Sequence, residues 1–310
     1  MTTIRKVFIL GAGAMGVAYA DMFTQCKGFE VAFVARGERY TKLKGATLTV
    51  NGRPQTVSVV RPDEVTGPAD LILVALKHHH LVEALADIKA LAGEATIILS
   101  VMNGLESEEV IGRACGMDKM VLAIAVGIDA TRENNVYTYG NRGWIIFGAS
   151  PSTGDQRRVR HLQEALNRAG IPNEVPADIM RSLWWKFMIN VGINQASAVL
   201  RAPYGVFQSS QDAMQLMKML MEEVILLAQK AQIDLRESDL DEWCDIMAGL
   251  SPGGKTSMLQ DVEAGRKTEV DIFAGKVVAL GGQYNVPTPV NGTVLRIIKV
   301  LESGLRPSNG

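Results

Sequence analysis

Over the first 150 residues, short runs of β-branched and apolar residues alternate with amphipathic stretches. The runs predict strands over residues 7–10, 31–34, 71–74, 96–99 and 121–126. Apolar residues at helical spacing predict helices over residues 15–27, 79–92 and 105–114. This alternation indicates a parallel sheet covered by helices on both faces. Two antiparallel insertions are also predicted, one turning at Asn51-Gly52 between residues 47–50 and 56–60, the other around residues 140–143.

The strand pattern nearly vanishes after residue 150. Helical spacing there covers residues 156–169, 179–201, 211–232, 239–248, 257–282 and 291–302. Pro203, Pro252 and Pro287 lie between these stretches and mark breaks in the helical pattern. We therefore predict two domains with a boundary near Pro172 to Pro176, an α/β domain over residues 1–174 and an all-helical domain over residues 175–310.

The composition excludes several classes of protein. The 310 residues are 47% apolar and carry a net charge of -1, so no general positive field is available to hold a nucleic acid or an anionic membrane surface. No run reaches the roughly 18 apolar residues of a membrane span. Cys26, Cys115 and Cys244 lie far apart without metal-ligand spacing, which argues against a disulfide framework. We expect a cytoplasmic protein that binds neither nucleic acid nor membrane.

Three glycines follow the first predicted strand in the pattern G-x-G-x-x-G. Gly11 permits a tight turn, Gly13 lets backbone N–H groups approach a diphosphate, and Gly16 lets the helix pack close to the strand. The diphosphate would lie at the positive end of that helix. The pattern predicts a Rossmann-type doubly wound sheet that binds a dinucleotide through Gly11, Ala12, Gly13, Ala14, Met15 and Gly16.

The residue at the end of the second predicted strand indicates which dinucleotide is bound. Twenty positions after Gly16, where an Asp or Glu would bind the ribose of NAD, the chain has Arg36. A guanidinium suits a 2′-phosphate, so Arg36 favours NADP(H). The alternative interpretation is an ordinary surface arginine.

Two other motifs lack the context that their usual functions need. Residues 249–256 match G-x-x-x-x-G-K-[ST], but the pattern before them is helical, whereas a phosphate-binding loop of that type follows a strand. Consecutive side chains at His78, His79 and His80 would point about 100° apart on a helix and cannot easily share one tetrahedral metal ion. We therefore predict neither nucleotide hydrolysis nor a metal site.

A polar stripe crosses an otherwise apolar helix. Lys186, Asn190 and Asn194 recur every four residues, and on a regular α-helix they would form one ridge about 12 Å long. Such buried polar groups need either internal partners or a cleft that holds a polar ligand. A lysine with two amides suits a small anion that bears a carbonyl group, because the ammonium can polarise the oxygen and protonate it as hydride arrives.

A second polar constellation begins at Ser257 and continues at Glu269. Ser257 supplies a hydroxyl, and Glu269 is a candidate to orient the lysine and to bind a substrate or ribose hydroxyl. Without a partner motif, each acidic residue of this stretch would by default be a solvated helix residue.

Over nearly the whole chain these residues resemble the ketopantoate reductase (2-dehydropantoate 2-reductase) family. The resemblance rests on the glycine loop with Arg36, on Lys77 and Asn103-Gly104, on the Lys186/Asn190/Asn194 helix, and on residues 257–261 and 268–271. It implies NADPH-dependent reduction of ketopantoate to (R)-pantoate, with substrate held between the two domains. By this resemblance Lys186 is the general acid and Asn190, Asn194 and Ser257 hold the substrate. The residues that would contact the cofactor besides the glycine loop and Arg36 are Lys77, Asn103, Ala130 and Glu269, the last lying between lysine and cofactor.

The chain also departs from the family pattern. His80 replaces a frequent glutamine, Gly254 an asparagine, and Tyr204 a polar residue. These departures leave open a related D-2-hydroxyacid dehydrogenase that reduces another bulky 2-oxo acid. A second alternative, which is not an enzyme, is a non-catalytic NADP(H)-binding protein. A homodimer also stays open, because Met214, Met217 and Met221 recur at a helical spacing that fits either a core or a subunit contact.

Overall fold

The structure is a computed structural model that describes residues 3–56, 58–151 and 155–304. The chain divides into two compact units, Met1–Ile179 and Met180–Gly310. The sequence predicts this division a few residues earlier, after residue 174. Within the described ranges, no helix is both long enough and apolar enough to cross a membrane.

The first unit contains two sheets. Its strands are β1 (Lys6–Leu10), β2 (Glu30–Val34), β3 (Thr47–Val50), β4 (Arg53–Thr56), β5 (Val59–Val60), β6 (Leu71–Val74), β7 (Ile97–Ser100), β8 (Met120–Val126), β9 (Thr131–Glu133), β10 (Val136–Thr138), β11 (Trp144–Ala149) and β12 (Asn173–Glu174). In the described part of the chain, the larger sheet has eight strands in the order β12-β11-β8-β7-β6-β1-β2-β5, and the smaller has the order β4-β3-β10-β9. Among the described strand pairs of the larger sheet, the pair of β8 and β11 is antiparallel and the other pairs are parallel.

Helices cover both faces of the larger sheet. They are α1 (Ala14–Thr24), α2 (Gly37–Lys44), α3 (Leu81–Leu91), α4 (Ser107–Cys115) and α5 (Gln156–Arg168), with short 3-10 turns at Pro62–Glu64, His78–His80 and Met117–Lys119. Alternate residues of β6 belong to different cores: Leu73 packs on the side of α1 and α5, and Ile72 on the side of α3 and α4. Strand β6 is apolar throughout because both of its faces are buried. The predicted doubly wound sheet is confirmed.

The small sheet corrects both predicted insertions. Asn51 and Gly52 do form the turn, with φ of 48° and 76°, but the returning strand is β4, while β5 leaves to pair with β2 in the larger sheet. The second hairpin joins β9 to β10 and turns at Asn134, which has φ of 54°. The prediction of a turn around residues 140–143 is therefore wrong, because those residues lead from the hairpin into β11.

The regular elements described in the second unit are all helical. Its helices are α6 (Ile179–Ile189), α7 (Gln195–Leu200), α8 (Tyr204–Ser209), α9 (Gln211–Lys230), α10 (Glu237–Ala248), α11 (Ser257–Glu263), α12 (Lys276–Tyr284) and α13 (Pro289–Ser303). Two wider π-helical segments, Asn190–Asn194 and Asp271–Gly275, continue α6 into α7 and lead into α12. The predicted helical domain is confirmed.

The predicted continuous helix over residues 257–282 is wrong. Helix α11 ends at Glu263, and Gly265 takes a φ of +62°, which a side chain rarely adopts. The N–H of Arg266 then donates to the carbonyl of Asp261 at 2.8 Å, and Arg266 Nε donates to the Asp261 carboxylate at 2.9 Å. This turn closes α11 and places Thr268 and Glu269 ahead of the second π-helical segment.

Two methionines of α9, Met217 and Met221, belong to the core of the second unit. Met217 and Met221 are fully buried. A Cβ added at Gly192 would lie 2.4 Å from Met221 Cγ, so the thioether side chain occupies the space that glycine leaves. Of the two interpretations of this stripe, the structure favours the core for Met217 and Met221.

Candidate active site

The glycine loop joins β1 to α1 and fits a bound dinucleotide. Gly11 has a φ of +108°, and a Cβ there would lie 2.3 Å from the carbonyl oxygen of Ala75. A Cβ at Gly16 would lie 1.9 Å from the carbonyl oxygen of Gly11, so helix and strand approach closely. Gly13, by contrast, has nothing within 4 Å of its missing Cβ. The loop therefore leaves open space where a diphosphate would meet the N-terminus of α1.

The other residues of the loop have distinct positions. Ala14 is the first residue of α1, which carries no acidic residue in its first turn. Ala12 and Met15 are partly buried and pack against the core on that side of the sheet. The carbonyl oxygen of Ala12 accepts a hydrogen bond of 3.2 Å from the Tyr137 hydroxyl, and the Arg132 Nη1 lies 3.4 Å from the same oxygen. The small sheet thus supports the loop from outside.

The four other predicted cofactor residues of this unit follow the carboxyl ends of parallel strands. They are Arg36 after β2, Lys77 after β6, Asn103 after β7 and Ala130 after β8. Because β1, β2, β6, β7 and β8 are parallel, these strand ends share one edge of the sheet with the glycine loop. Four strand spacings, about 19 Å, separate β2 from β8. These predicted residues therefore follow strand ends along one edge of the sheet, where an extended ligand could contact them.

Arg36 is half-exposed and held by two carboxylates. Its Nε donates to Asp87 Oδ1 at 2.5 Å, and its Nη1 lies 3.4 Å from Asp63 Oδ1. The hydrogen bond to Asp87 raises the pKa of the guanidinium above its ordinary value. Nearby, Arg39 Nη2 lies 3.1 Å from Nδ1 of His80, whose pKa is lowered by burial and by that arginine. Basic groups therefore cluster at the end of β2.

In the second unit, the lysine and the two amides lie at the junction of α6 and the first π-helical segment. Lys186 is part-buried near the end of α6, and burial lowers its pKa to about 8. Asn190 and Asn194 are buried at the two ends of the segment, and Asn194 Nδ2 donates to Asn190 Oδ1 at 3.3 Å. Throughout the described ranges, no hydrogen bond or ion pair reaches the Lys186 ammonium. An ammonium in this position suits a ligand that brings its own acceptor.

The predicted regular ridge of these three residues is corrected in one respect. Between Asn190 and Asn194 the backbone makes the wider i→i+5 turn rather than an α-turn. The two amides still share a face, as their hydrogen bond shows. Segments of this kind are frequent at functional sites.

Gln195 fixes the geometry behind the first π-helical segment. Its Nε2 donates to the carbonyl of Val191 at 2.8 Å and to Asn291 Oδ1 at 3.0 Å, while its Oε1 accepts from the N–H of Ala274 at 2.9 Å. The two π-helical segments are therefore tied to each other through one fully buried amide. Sequence reasoning missed this residue because an amide inside an apolar helix does not reveal its partner.

Ser257 and Glu269 have different surroundings. Ser257 is exposed as the first residue of α11, a helix capped by Thr256, whose Oγ1 accepts from the N–H of Leu259 at 3.1 Å. Thr256 also donates to Ser197 Oγ at 3.2 Å, which attaches the start of α11 to α7. Glu269 is buried. Among the described residues, no ion pair joins Glu269 to the Lys186 ammonium.

Two of the departures from the family pattern are in contact. The N–H of Tyr204 donates to the carbonyl of Gly254 at 3.0 Å, and a Cβ at Gly254 would lie 2.8 Å from Tyr204 Cδ2. The ring of Tyr204 thus occupies the space that a side chain at position 254 would need. The same region rules out the G-x-x-x-x-G-K-[ST] interpretation, because helix α10 ends at Ala248, directly before it.

The strand order of the first unit and the residues at its strand ends define the class of protein. Without β11 and β12 at one edge, the strands of the larger sheet run parallel in the order β8-β7-β6-β1-β2-β5, which is the Rossmann order with a glycine loop after its first strand. The chain is therefore a Rossmann-type dinucleotide-binding protein with a helical second unit.

Comparison with known proteins gives the family. Residues 7–152 match the family described as "Ketopantoate reductase PanE/ApbA", and residues 178–302 match "Ketopantoate reductase PanE/ApbA C terminal". A relative named 2-dehydropantoate 2-reductase, from Aquifex aeolicus, is 25% identical over 304 residues, covering 96% of this chain and 97% of the relative. The chain belongs to the ketopantoate reductase family, whose members are nicotinamide-dinucleotide oxidoreductases.

Solved structures share the fold. A dimeric ketopantoate reductase from Staphylococcus aureus superimposes with a TM-score of 0.81 at 22% identity, covering 96% of this chain and 99% of that one. A ternary structure of D-mandelate dehydrogenase with NADH and anilino(oxo)acetate gives a TM-score of 0.87 at 23% identity, with coverage of 96% and 98%.

Proposed function

We propose that this protein reduces 2-dehydropantoate (ketopantoate) to (R)-pantoate with NADPH, on the route to pantothenate and coenzyme A. The observation that carries the proposal is the Lys186 ammonium, part-buried, lowered in pKa to about 8, and set on the same helical stretch as two buried amides. The family and the name of the Aquifex relative support this substrate. The likeness to D-mandelate dehydrogenase is a likeness of fold.

The proposed chemistry assigns Lys186 the proton. When bound, NADPH supplies the hydride to the keto carbon. Lys186 Nζ donates a hydrogen bond to the keto oxygen and then passes its proton to the alkoxide that forms there. Burial favours this transfer, because a pKa near 8 brings the ammonium closer to neutrality and makes it a stronger acid than an exposed lysine.

The neighbouring polar groups hold the substrate in this proposal. The amides of Asn190 and Asn194 and the hydroxyl of Ser257 hydrogen-bond the carboxylate and hydroxyl groups of ketopantoate. Asn190 and Asn194 are preorganised because their own hydrogen bond and the packing of a buried segment fix their rotamers. Glu269 is assigned to the lysine and the cofactor, as the family resemblance implies.

The cofactor residues follow the edge of the sheet. The N–H groups at the start of α1 would hold the diphosphate, and Arg36 would hold the 2′-phosphate that distinguishes NADPH from NADH. Lys77, Asn103 and Ala130 would lie along the ribose and nicotinamide. Support comes from their shared position after the carboxyl ends of parallel strands.

The proposal also includes a cytoplasmic homodimer. The Staphylococcus aureus structure of the same fold is described as dimeric. Size-exclusion chromatography with light scattering should give twice the mass of the 33.6 kDa chain. A monomer at micromolar concentration would remove this part of the proposal without affecting the reaction.

A substrate panel tests the reaction. At fixed NADPH, the loss of nicotinamide absorbance should be followed with ketopantoate, phenylglyoxylate and branched 2-oxo acids, comparing kcat/KM. We expect ketopantoate to be preferred by about tenfold or more, the discrimination that shape and polar contacts in a small pocket provide. A tenfold preference for another 2-oxo acid would overturn the assignment of substrate, and no turnover with any of them would indicate a non-catalytic binding protein.

A further inference from the structure

Arg132 lies against the glycine loop, although it comes from the small sheet. Its Nη1 is 3.4 Å from the carbonyl oxygen of Ala12, and its Nε donates to the carbonyl of Asn134 at 2.8 Å. The guanidinium carbon lies 5.4 Å from the centre of the Tyr137 ring, whose hydroxyl donates to the same Ala12 oxygen. Three contacts therefore hold an exposed guanidinium beside the loop.

The charge of Arg132 is not compensated by the protein. In the part of the chain that the structure describes, no ion pair involves Arg132, whereas Arg36, Arg53 and Arg61 of the same unit each have a carboxylate within 4.0 Å. Glu133 is adjacent in sequence, but consecutive residues of a strand point to opposite faces. An arginine that is fixed in place and unpaired is suited to bind an anionic ligand.

Arg132 contacts the glycine loop at the residue before the open space at Gly13. Ala12, which Arg132 contacts, precedes Gly13, and consecutive Cα atoms are about 3.8 Å apart. Gly13 is the residue whose missing side chain leaves open space at the N-terminus of α1. A guanidinium has five N–H donors in a planar fork, so donors remain for a ligand after the bonds to Asn134 and Ala12 are made.

We propose that Arg132 is a cofactor-binding residue that holds the dinucleotide diphosphate from the side of the small sheet. The inference rests on the proposed function in one respect, namely that a dinucleotide lies on the glycine loop. It adds a cation to the backbone N–H groups and the helix end that the glycine loop offers. Stacking on Tyr137 lowers the entropy that the side chain loses on binding and adds a cation–π contribution.

A purely structural role makes a different prediction. If Arg132 served only to hold the shape of the loop through Ala12, its removal would weaken every ligand that depends on the loop and would also lower stability. If it binds the diphosphate, its removal weakens only ligands that contain a diphosphate. Ligand fragments therefore separate the two roles.

Binding should be measured by calorimetry with NADP⁺, with 2′-phospho-ADP-ribose and with adenosine 2′-monophosphate, which lacks the diphosphate. We expect Arg132→Ala to weaken NADP⁺ and 2′-phospho-ADP-ribose by about tenfold or more, the fold-change of a lost charge-assisted hydrogen bond. Binding of adenosine 2′-monophosphate should change by less than about twofold, and the melting temperature should not move. Arg132→Lys should restore part of the affinity, because it keeps the charge without the fork.

Arg160→Ala is the matched control. Arg160 is exposed on α5 of the same unit, so this variant removes the same charge elsewhere and should bind all three ligands like the wild type. Unchanged NADP⁺ affinity in Arg132→Ala, or equal weakening of all three ligands, would overturn the inference while leaving the proposed function intact. Failure of the wild-type protein to bind either NADP⁺ or NAD⁺ would overturn both.

Discussion

Arg36 donates from Nε to Oδ1 of Asp87 across 2.5 Å, so the residue that would select the cofactor is held by a carboxylate of α3. Asp63 lies on its other side, 3.4 Å from Nη1. These contacts orient the guanidinium and leave its second terminal nitrogen, Nη2, for a ligand. The two carboxylates hold the guanidinium in one orientation, so less side-chain entropy is lost on binding than from a mobile side chain, but they also compensate part of its charge, and a phosphate must compete with them.

Arg36→Ala should therefore raise the KM for NADPH by about tenfold or more with little effect on the KM for NADH. The 2′-phosphate of NADPH is the group that loses a charge-assisted hydrogen bond, and NADH has no such group. Initial rates with each cofactor at saturating ketopantoate measure the effect. Equal changes in both KM values would show that Arg36 does not read the 2′-phosphate.

Alanine at Gly16 should lower stability, whereas alanine at Gly13 should weaken cofactor binding. Gly16→Ala places a Cβ 1.9 Å from the Gly11 carbonyl oxygen and should cost at least about 2 kcal/mol of unfolding free energy. Gly13→Ala meets nothing within 4 Å, so stability should change by about 1 kcal/mol or less, the usual effect at a helix N-cap, while NADP⁺ binding weakens. Urea unfolding and calorimetric titration distinguish the two. Full NADP⁺ affinity in Gly13→Ala would show that the diphosphate does not approach this residue.

Replacing Lys186 should slow turnover strongly. Lys186→Met should lower kcat by about 10² or more, the range expected when a general acid is lost. NADPH binding, measured by fluorescence, should be retained, because the glycine loop and Arg36 belong to the other unit. Unchanged turnover of every 2-oxo acid tested would instead favour a non-catalytic binding protein.

The same substitution should stabilise the fold below pH 8. Burial lowers the pKa of Lys186 from 10.5 to about 8, so between these values the unfolded chain binds more protons than the folded one, and wild-type stability rises with pH. Below pH 8 the whole cost is present, at most about 3 kcal/mol and less for a side chain that keeps some solvent contact. The stability advantage of Lys186→Met should therefore be largest below pH 8 and shrink towards pH 10.5. An advantage that is constant with pH would show that packing, not charge, causes it.

Glu108 should make stability depend on pH in the opposite sense. Glu108 is a buried residue in the first turn of α4, its carboxyl accepts from the Ser107 hydroxyl at 2.6 Å, and burial raises its pKa from 4.5 to about 7. Between these values the folded state binds more protons, so stability falls as pH rises, and above pH 7 the full cost of up to about 3 kcal/mol is present. In urea unfolding, the free energy of unfolding of Glu108→Gln relative to the wild type should increase from pH 4.5 to 7. Above pH 7 this difference should stay constant.

Glu109→Gln is the control for Glu108. Glu109 is the next residue, exposed and paired with Arg113 on the surface, so its replacement should change stability by about 0.5 kcal/mol or less at any pH. A similar pH dependence in both variants would contradict the assignment to Glu108.

The sequence predicts the parts of the molecule whose pattern is local. The strand Leu71–Val74 is predicted to the residue, and the glycine loop appears directly after β1, because buried parallel strands and glycine turns leave their marks in adjacent residues. The break at Gly265 was missed because apolar residues keep a helical spacing across it. The hydrophobic pattern therefore does not show that α11 ends before α12 begins. A glycine in a helical pattern is tolerated often enough that its φ of +62° could not be inferred.

The contacts of the small sheet with the glycine loop could not be predicted either. Arg132 and Tyr137 are about 120 residues from Ala12 in sequence, and β9 and β10 are too short and polar for their pattern to predict strands. The pair Asn134-Asn135 was an available hairpin signal, because asparagine tolerates the left-handed conformation that Asn134 adopts. Their contact with the loop depends on a long-range docking of two sheets.

The π-helical segment Asn190–Asn194 is an α-helix that contains one additional residue. Deleting one residue there would restore the regular helix, and every side chain after it would turn by about 100° relative to Lys186. Gln195 would then face away from Asn291 and Ala274, which it now joins. A chain shorter by one residue here would be more regular locally, but the helix after the deletion would be rotated away from the residues it now contacts. The number of residues in this segment therefore sets the rotation of α7 about its axis relative to α6.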